Sequence, residues 1–179
     1  MNIKNKLTNS FLLASLLVMV NTSDAQGRFK AKGTKANANG GVTSARGGAA
    51  KGQSGGGFAR ARGTTTNGQG QAAGGGATAV KGPNGGSGVR GGTYTADNSG
   101  NVNYQGGTAA TGANGTAATT GGFSRSAGGG VAGGRSTNAT SSTTGNTYQG
   151  DTTYESGQGV EHTQTCYNAN GETITCPNG

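Results

Sequence analysis

The sequence predicts a mostly disordered, low-complexity chain whose ordered parts are all β. These parts are a degenerate 15-residue β-hairpin repeat laid out as a meander and a C-terminal hairpin closed by a disulfide. Three observations lead there. Glycine stands at positions 40, 55, 70, 85, 100, 115, 130 and 145, in register at a period of 15. With 40 glycines in 179 residues single coincidences are expected, but eight in succession describe an array of equivalent turns. Beyond residue 25 the chain has no Leu, Met or Trp, and only ten Val, Ile and Phe, too few for an ordinary core. The two cysteines, Cys166 and Cys176, flank a turn-forming stretch.

Residues 1–25 read as a signal peptide. Lys4 and Lys6 supply a basic start, Phe11 to Val20 is an unbroken apolar run, and Ser23 and Ala25 are the small residues of a cleavage site. The cut is expected between Ala25 and Gln26. Ten apolar residues are too few to span the ~30 Å of a bilayer's hydrocarbon, so the segment is a targeting signal and not an anchor. No cysteine lies near the cut to carry a lipid. The mature chain, without a transmembrane segment, is expected to be secreted or held at the cell surface, with the periplasm as the other destination.

Residues 26–75 are rich in Gly, Ala, Gln and Lys/Arg and poor in β-branched aliphatics, the composition of a flexible arm. From Gln26 to Arg90 there are ten basic residues and no acid. Arg28, Lys30, Lys32, Lys35, Arg46, Lys51, Arg60 and Arg62 form the candidate site for polyanions. Arg46-Gly47-Gly48 and the Phe58 to Gly63 stretch resemble Arg/Gly segments that hold nucleic acids by charge and stacking. Export redirects that chemistry to extracellular DNA, polysaccharide or lipopolysaccharide.

Over residues 76–158 Thr, Val and Tyr rise and turn signals become regular. Asn84-Gly85, Asn98-Ser99-Gly100 and Asn114-Gly115 follow the glycine column, and Gly91-Gly92, Gly106-Gly107 and Gly121-Gly122 form a second column half a period away. Both dipeptide types favour tight turns, so two turns per 15 residues and strands of about five residues are expected. A β-solenoid with 15-residue coils is the alternative, but it needs an inward apolar stack in every coil, which this chain lacks. Sheets faced with small residues can instead lie flat and stack. Glycine within strands weakens them, which leaves open an isolated chain that forms no strand at all.

Residues 159–179 read as an acidic tail hairpin. From Asp151 onward there are four acids and no Lys or Arg. Alternating residues flank Asn168 to Gly171, and Cys166 and Cys176 are equidistant from Gly171. An even cysteine count in an exported chain predicts one disulfide between them.

The motifs of catalysis are missing. The single histidine, His162, stands beside Glu161 with no nucleophile in a Gly-x-Ser-x-Gly setting, and no phosphate-binding loop occurs. Asp97 to Asn101 has the residues of a weak cation loop and equally those of a turn; the turn is the reading adopted. No cofactor, metal or small-molecule substrate is expected, and the chain reads as a non-enzyme.

From GNTYQGDTTY at Gly145 to the final Cys-Pro, about 33 residues, the chain resembles the C-terminal signature of uncharacterised glycine-rich exported proteins of Gram-negative bacteria. That resemblance implies export and paired cysteines. The 15-residue spacing is not the Gln/Asn-rich repeat of curli-type fibre subunits. The function expected from the sequence is structural or adhesive, at the cell surface or in the extracellular matrix, with self-assembly. A cationic module for anionic polymers or cell-surface glycans is the alternative, and a secreted antibacterial peptide precursor the second.

Overall fold

The computed structural model describes residues 27–176, so the signal segment and its cleavage site at Ala25 and Gln26 lie outside it. The described residues form one antiparallel sheet of eleven strands in simple sequence order. The strands are β1 (Gly27–Ala36), β2 (Val42–Lys51), β3 (Gly57–Thr66), β4 (Ala72–Lys81), β5 (Ser87–Ala96), β6 (Val102–Gly112), β7 (Gly115–Arg125), β8 (Val131–Ser141), β9 (Thr147–Glu155), β10 (Gly159–Tyr167) and β11 (Thr173–Ile174). The meander is therefore present and the solenoid is not.

The period of 15 is one strand and one turn. From β1 to β5, ten residues of strand alternate with five of turn. This corrects the expected five-residue strands with two turns per period. Four of the column turns, and the tail turn, share one geometry. In the turns led by Asn37, Gly52, Gly82, Asp97 and Asn168, the first residue's N–H donates to the carbonyl four residues on, and its carbonyl accepts from the N–H three residues on. That fourth residue has positive φ: Gly40 74°, Gly55 81°, Gly85 87°, Gly100 89° and Gly171 82°. The pattern is a three-residue hairpin loop with a glycine bulge, and an L side chain there would strain the backbone. Asn37, Asn67, Asp97 and Asn168 reinforce their turns by accepting, at Oδ1, the N–H groups two and four residues on.

The spacing departs from 15 after β6, and the β9–β10 loop is short as well, Ser156 to Gln158. Between β6 and β7 the loop shortens to Ala113 and Asn114, and Gly112 pairs with Gly115. The next turn then places its positive φ at Gly129 (90°) and not at the expected Gly130.

The second glycine column lies in mid-strand, contrary to the turn expected there. Gly91 pairs with Gly107, and Gly92 with Gly106. Gly106 in turn pairs with Gly121. On one face, tyrosine rings lie across these gaps. A Cβ on Gly92 would stand 2.7 Å from Tyr104 Oη, and one on Gly74 would stand 2.6 Å from Tyr94 Cε1. Tyr104 also covers Gly106, and Tyr148 covers Gly150, so the two Tyr-Gln-Gly echoes in the sequence are one packing device used twice.

Residues 27–75, expected as a flexible arm, form β1, β2, β3 and the start of β4. The expected mostly disordered chain is thus replaced, among the described residues, by a continuous sheet. The cause is the ladder itself. The backbone groups of these Lys/Arg-rich and Gly/Ala-rich strands pair with their neighbours along the full strand length, and no side chain has to pack into a core for that. Cys166, at 4% exposure, is the one buried hydrophobic residue among those described, while Phe29, Phe58 and Phe123 stay 50%, 41% and 45% exposed. The tail is not a separate unit, because β10 pairs with β9 along its length. The Cys166–Cys176 disulfide is present, with a Cα–Cα distance of 5.2 Å, and it ties the short β11 to the sheet. A loop this short stabilises by about 2.8 kcal/mol in the chain-entropy account.

Glycine substitutions separate the two kinds of position. Gly85 and Gly100 are open to a side chain but have positive φ, so Gly→Val there should cost about 1–2 kcal/mol from backbone strain alone. Gly88, with only ordinary contacts to a new Cβ, should accept Val with little loss. Gly133 should not, because its Cβ would meet the Gly122 carbonyl at 2.7 Å. Thermal melts of the β signal check the order.

Candidate polyanion-binding face

Because strand residues alternate between faces, directly paired residues share a face throughout the sheet. One row of pairs runs Lys32, Arg46, Arg62, Gly76, Gly92, Gly106, Gly121, Arg135, Thr152, His162. Two residues along the strands, on the same face, a second row runs Lys30, Gly48, Arg60, Thr78, Arg90. A third begins Arg28, Ala50, Phe58, Val80. A fourth contains Tyr94, Tyr104 and Phe123. This face, the cationic face, thus carries Arg28, Lys30, Lys32, Arg46, Arg60, Arg62 and Arg90, together with Arg125 and Arg135 farther along.

The opposite face is of another kind. Its two central rows in β1–β4 are Ala and Gly alone, Ala31, Gly47, Ala61, Ala77 in one and Gly33, Ala45, Gly63, Gly75 in the next, and the row beside them adds Phe29 to Ala49, Ala59 and Ala79. Toward β9 and β10 it carries Asp151, Glu155 and Glu161. Its only cations, Lys35, Lys51 and Lys81, stand at or near strand ends.

Of the eight basic residues singled out in the sequence, six therefore converge on one face, and Lys35 and Lys51 do not. Arg90, Arg125 and Arg135 join the six. The signal that finds them is spacing by two, as in Arg28-x-Lys30-x-Lys32 and Arg60-x-Arg62. It becomes legible only when the segment is read as strand.

With strands about 4.8 Å apart and alternate residues about 6.8 Å apart, the cations of β1–β5 cover a patch of about 20 Å by 14 Å. A shallow open trough of about 760 Å³ runs over Lys30, Lys32, Arg46, Arg60, Arg62 and Arg90 and reaches Tyr104. Tyr104 stacks on Phe123 with ring centroids 5.6 Å apart and planes at 28°. Lys32, Arg46 and Arg62 are like charges directly opposite one another, an arrangement that opposes sheet formation. The acids of the strands lie on the other face, so the protein leaves this repulsion uncompensated within the sheet.

His162, the residue closest to catalytic chemistry in the sequence, sits in β10, its Nδ1 sharing a hydrogen bond with Thr152 Oγ1 at 2.9 Å. Among the described residues no three of His, Cys, Asp and Glu gather as a metal site, and no helix is long and apolar enough to cross a membrane. Asp97, weighed as a cation ligand, is the head of a turn. Its Oδ1 accepts from Ser99 N and Asn101 N, both at 2.9 Å, and its Oδ2 accepts from Asn101 Nδ2 at 2.7 Å.

Comparison with protein-family models, curated proteins and solved structures returned no match.

The Asn101 amide and backbone N–H, with smaller help from Ser99 and Gly100, hold the Asp97 carboxyl below its ordinary pKa. A depressed carboxyl contributes stability above its unfolded pKa and loses it as pH falls through the folded value. The turn should therefore loosen on acidification below the ordinary carboxylate range, and Asp97→Asn should remove that dependence. Carbon-detected titration of the Asp97 carboxyl checks this; an ordinary pKa would contradict it.

Proposed function

We propose that this chain is an exported, non-enzymatic structural or adhesive protein of the cell surface or extracellular matrix. Its cationic face is the adhesive surface, and its ligand is a linear anionic polymer. The observation that carries the reading is the sidedness of charge: seven of the ten basic residues of β1–β5 lie on one face, in rows, without acids among them, and the other three stand at or near strand ends on the opposite face. Rows of like charge cost stability in the free sheet, and a bound polyanion offsets that cost by replacing repulsion with attraction. Tyr104, at the end of the trough, adds a ring face on which a base or sugar can stack. The open, one-layer form suits a surface that meets an extended polymer, since a polymer laid across the strands meets cations at successive strand spacings.

The test compares two pairs of substitutions with equal charge change. Arg46→Gln with Arg62→Gln removes two cations from the face; Lys51→Gln with Lys81→Gln removes two from the other side. With single-stranded DNA as the probe, the first pair should weaken binding and lower the slope of log affinity against log salt by about 1.4. The second pair should leave the slope nearly unchanged. Equal effects of both pairs would reduce the interaction to net charge and reject a binding face. An acidic polysaccharide in the same assay separates charge recognition from recognition of nucleobases.

A further inference from the structure

We propose that the two edges of the sheet, β1 and β10, join copies of this chain head to tail into one continuous sheet. The inference goes beyond the adhesive reading and stands on different residues.

The first argument is unpaired backbone. β1 pairs only with β2 among the described residues, and β11 covers only Cys166 and Tyr167 of β10. The outer side of Gly159–Thr165 thus presents seven residues of open strand, and β1 presents ten. Open edges of this length pair with another strand unless something prevents it.

The second argument is parity. In a meander alternate strands run in opposite directions, so β1 and β10 are antiparallel to each other. A second copy placed by simple translation sets its β1 antiparallel to the first copy's β10. The alternation continues through the junction with no rotation.

The third argument is charge. β1 carries Arg28, Lys30, Lys32 and Lys35 and no acid. β9 and β10 carry Asp151, Glu155 and Glu161 and no Lys or Arg. Two β1 edges repel each other, and two β10 edges lack a basic partner, which leaves β1 against β10 as the matched pair.

The register of the sheet supplies the detail. Lys35 belongs to the row that ends at Glu155 and Gly159. Continued across the junction, that row sets the next copy's Lys35 opposite Gly159. Having no side chain, Gly159 leaves the way clear for Lys35 to reach Glu155 one strand farther on. Glu161 lies diagonally across the junction on the same face. All three residues are on the face opposite the cationic one, so substituting them leaves the adhesive surface intact. Failure of the assembly and failure of the adhesive reading are thus separately visible.

The experiment uses the oxidised mature chain in sedimentation velocity and light scattering over a range of concentrations. The unmodified protein should grow in mass with concentration. Lys35→Glu alone, and Glu155→Lys with Glu161→Lys alone, should each raise the concentration of half-assembly by about tenfold. An equimolar mixture of the two variants should assemble again, since each then offers the edge that the other lacks. Should Lys35→Glu lose its β signal, Lys35→Gln must still weaken assembly. A monomer at all concentrations, unimpaired assembly of either variant alone, or no recovery on mixing would overturn the proposal. Protected β1 and β10 edge amides in a monomer would overturn it too, by showing that the edges close on each other within one chain.

Discussion

The cross-strand backbone hydrogen bond is the interaction on which everything else here depends. A chain with one buried hydrophobic side chain among its described residues has no interior to organise it. Each strand is held by its neighbours, and the sheet is a ladder of nearly full-length pairings from β1 to β10. Side chains are then free of the demand to pack. That freedom lets one face be charged and aromatic and the other small, within strands of the same length and pairing. It also explains why the aromatic rings lie down: with no second layer to enter, Tyr104 and Tyr148 cover neighbouring glycines of their own sheet.

The turns supply the second constraint. A ten-residue strand followed by a five-residue turn keeps successive strands in phase, so cations in different strands fall into common rows. The turn closes only if its fourth residue takes positive φ, which fixes glycine there at Gly40, Gly55, Gly85 and Gly100. Turns at the same end of the sheet also brace one another. Asn37 Nδ2 donates to the Thr66 carbonyl at 2.6 Å, and Asn101 Oδ1 accepts from Ala127 N at 2.9 Å. Sequence regularity, turn geometry and the alignment of charge on one face are successive consequences of a single spacing.

The glycine column, the meander and the Cys166–Cys176 bridge were legible in the sequence because each has a local signature: a φ requirement, a turn dipeptide, an even cysteine count. The length of the strands was not. Gly91-Gly92 and Gly106-Gly107 have the composition of turns, and only the cross-strand register shows them as mid-strand positions, with Gly92 and Gly106 roofed by Tyr104. Nor was the order of residues 27–75 legible. Their composition is that of a disordered arm, and what orders them is pairing with neighbours, a non-local term that composition does not carry. The candidate site followed the same division. The basic residues were visible individually, but their partition into faces needs the phase of each strand. Lys35 and Lys51 then separate from the other six.

Residue-resolved amide hydrogen exchange on the oxidised protein tests the central claim, that one backbone ladder runs through all ten long strands without a core. The account predicts continuous protection of mid-strand amides from β2 through β9, including Val42–Lys51 and Gly57–Thr66, with faster exchange in the five-residue turns between them. Unprotected exchange throughout residues 42–66, or protection broken at Gly91-Gly92 and Gly106-Gly107, would contradict it.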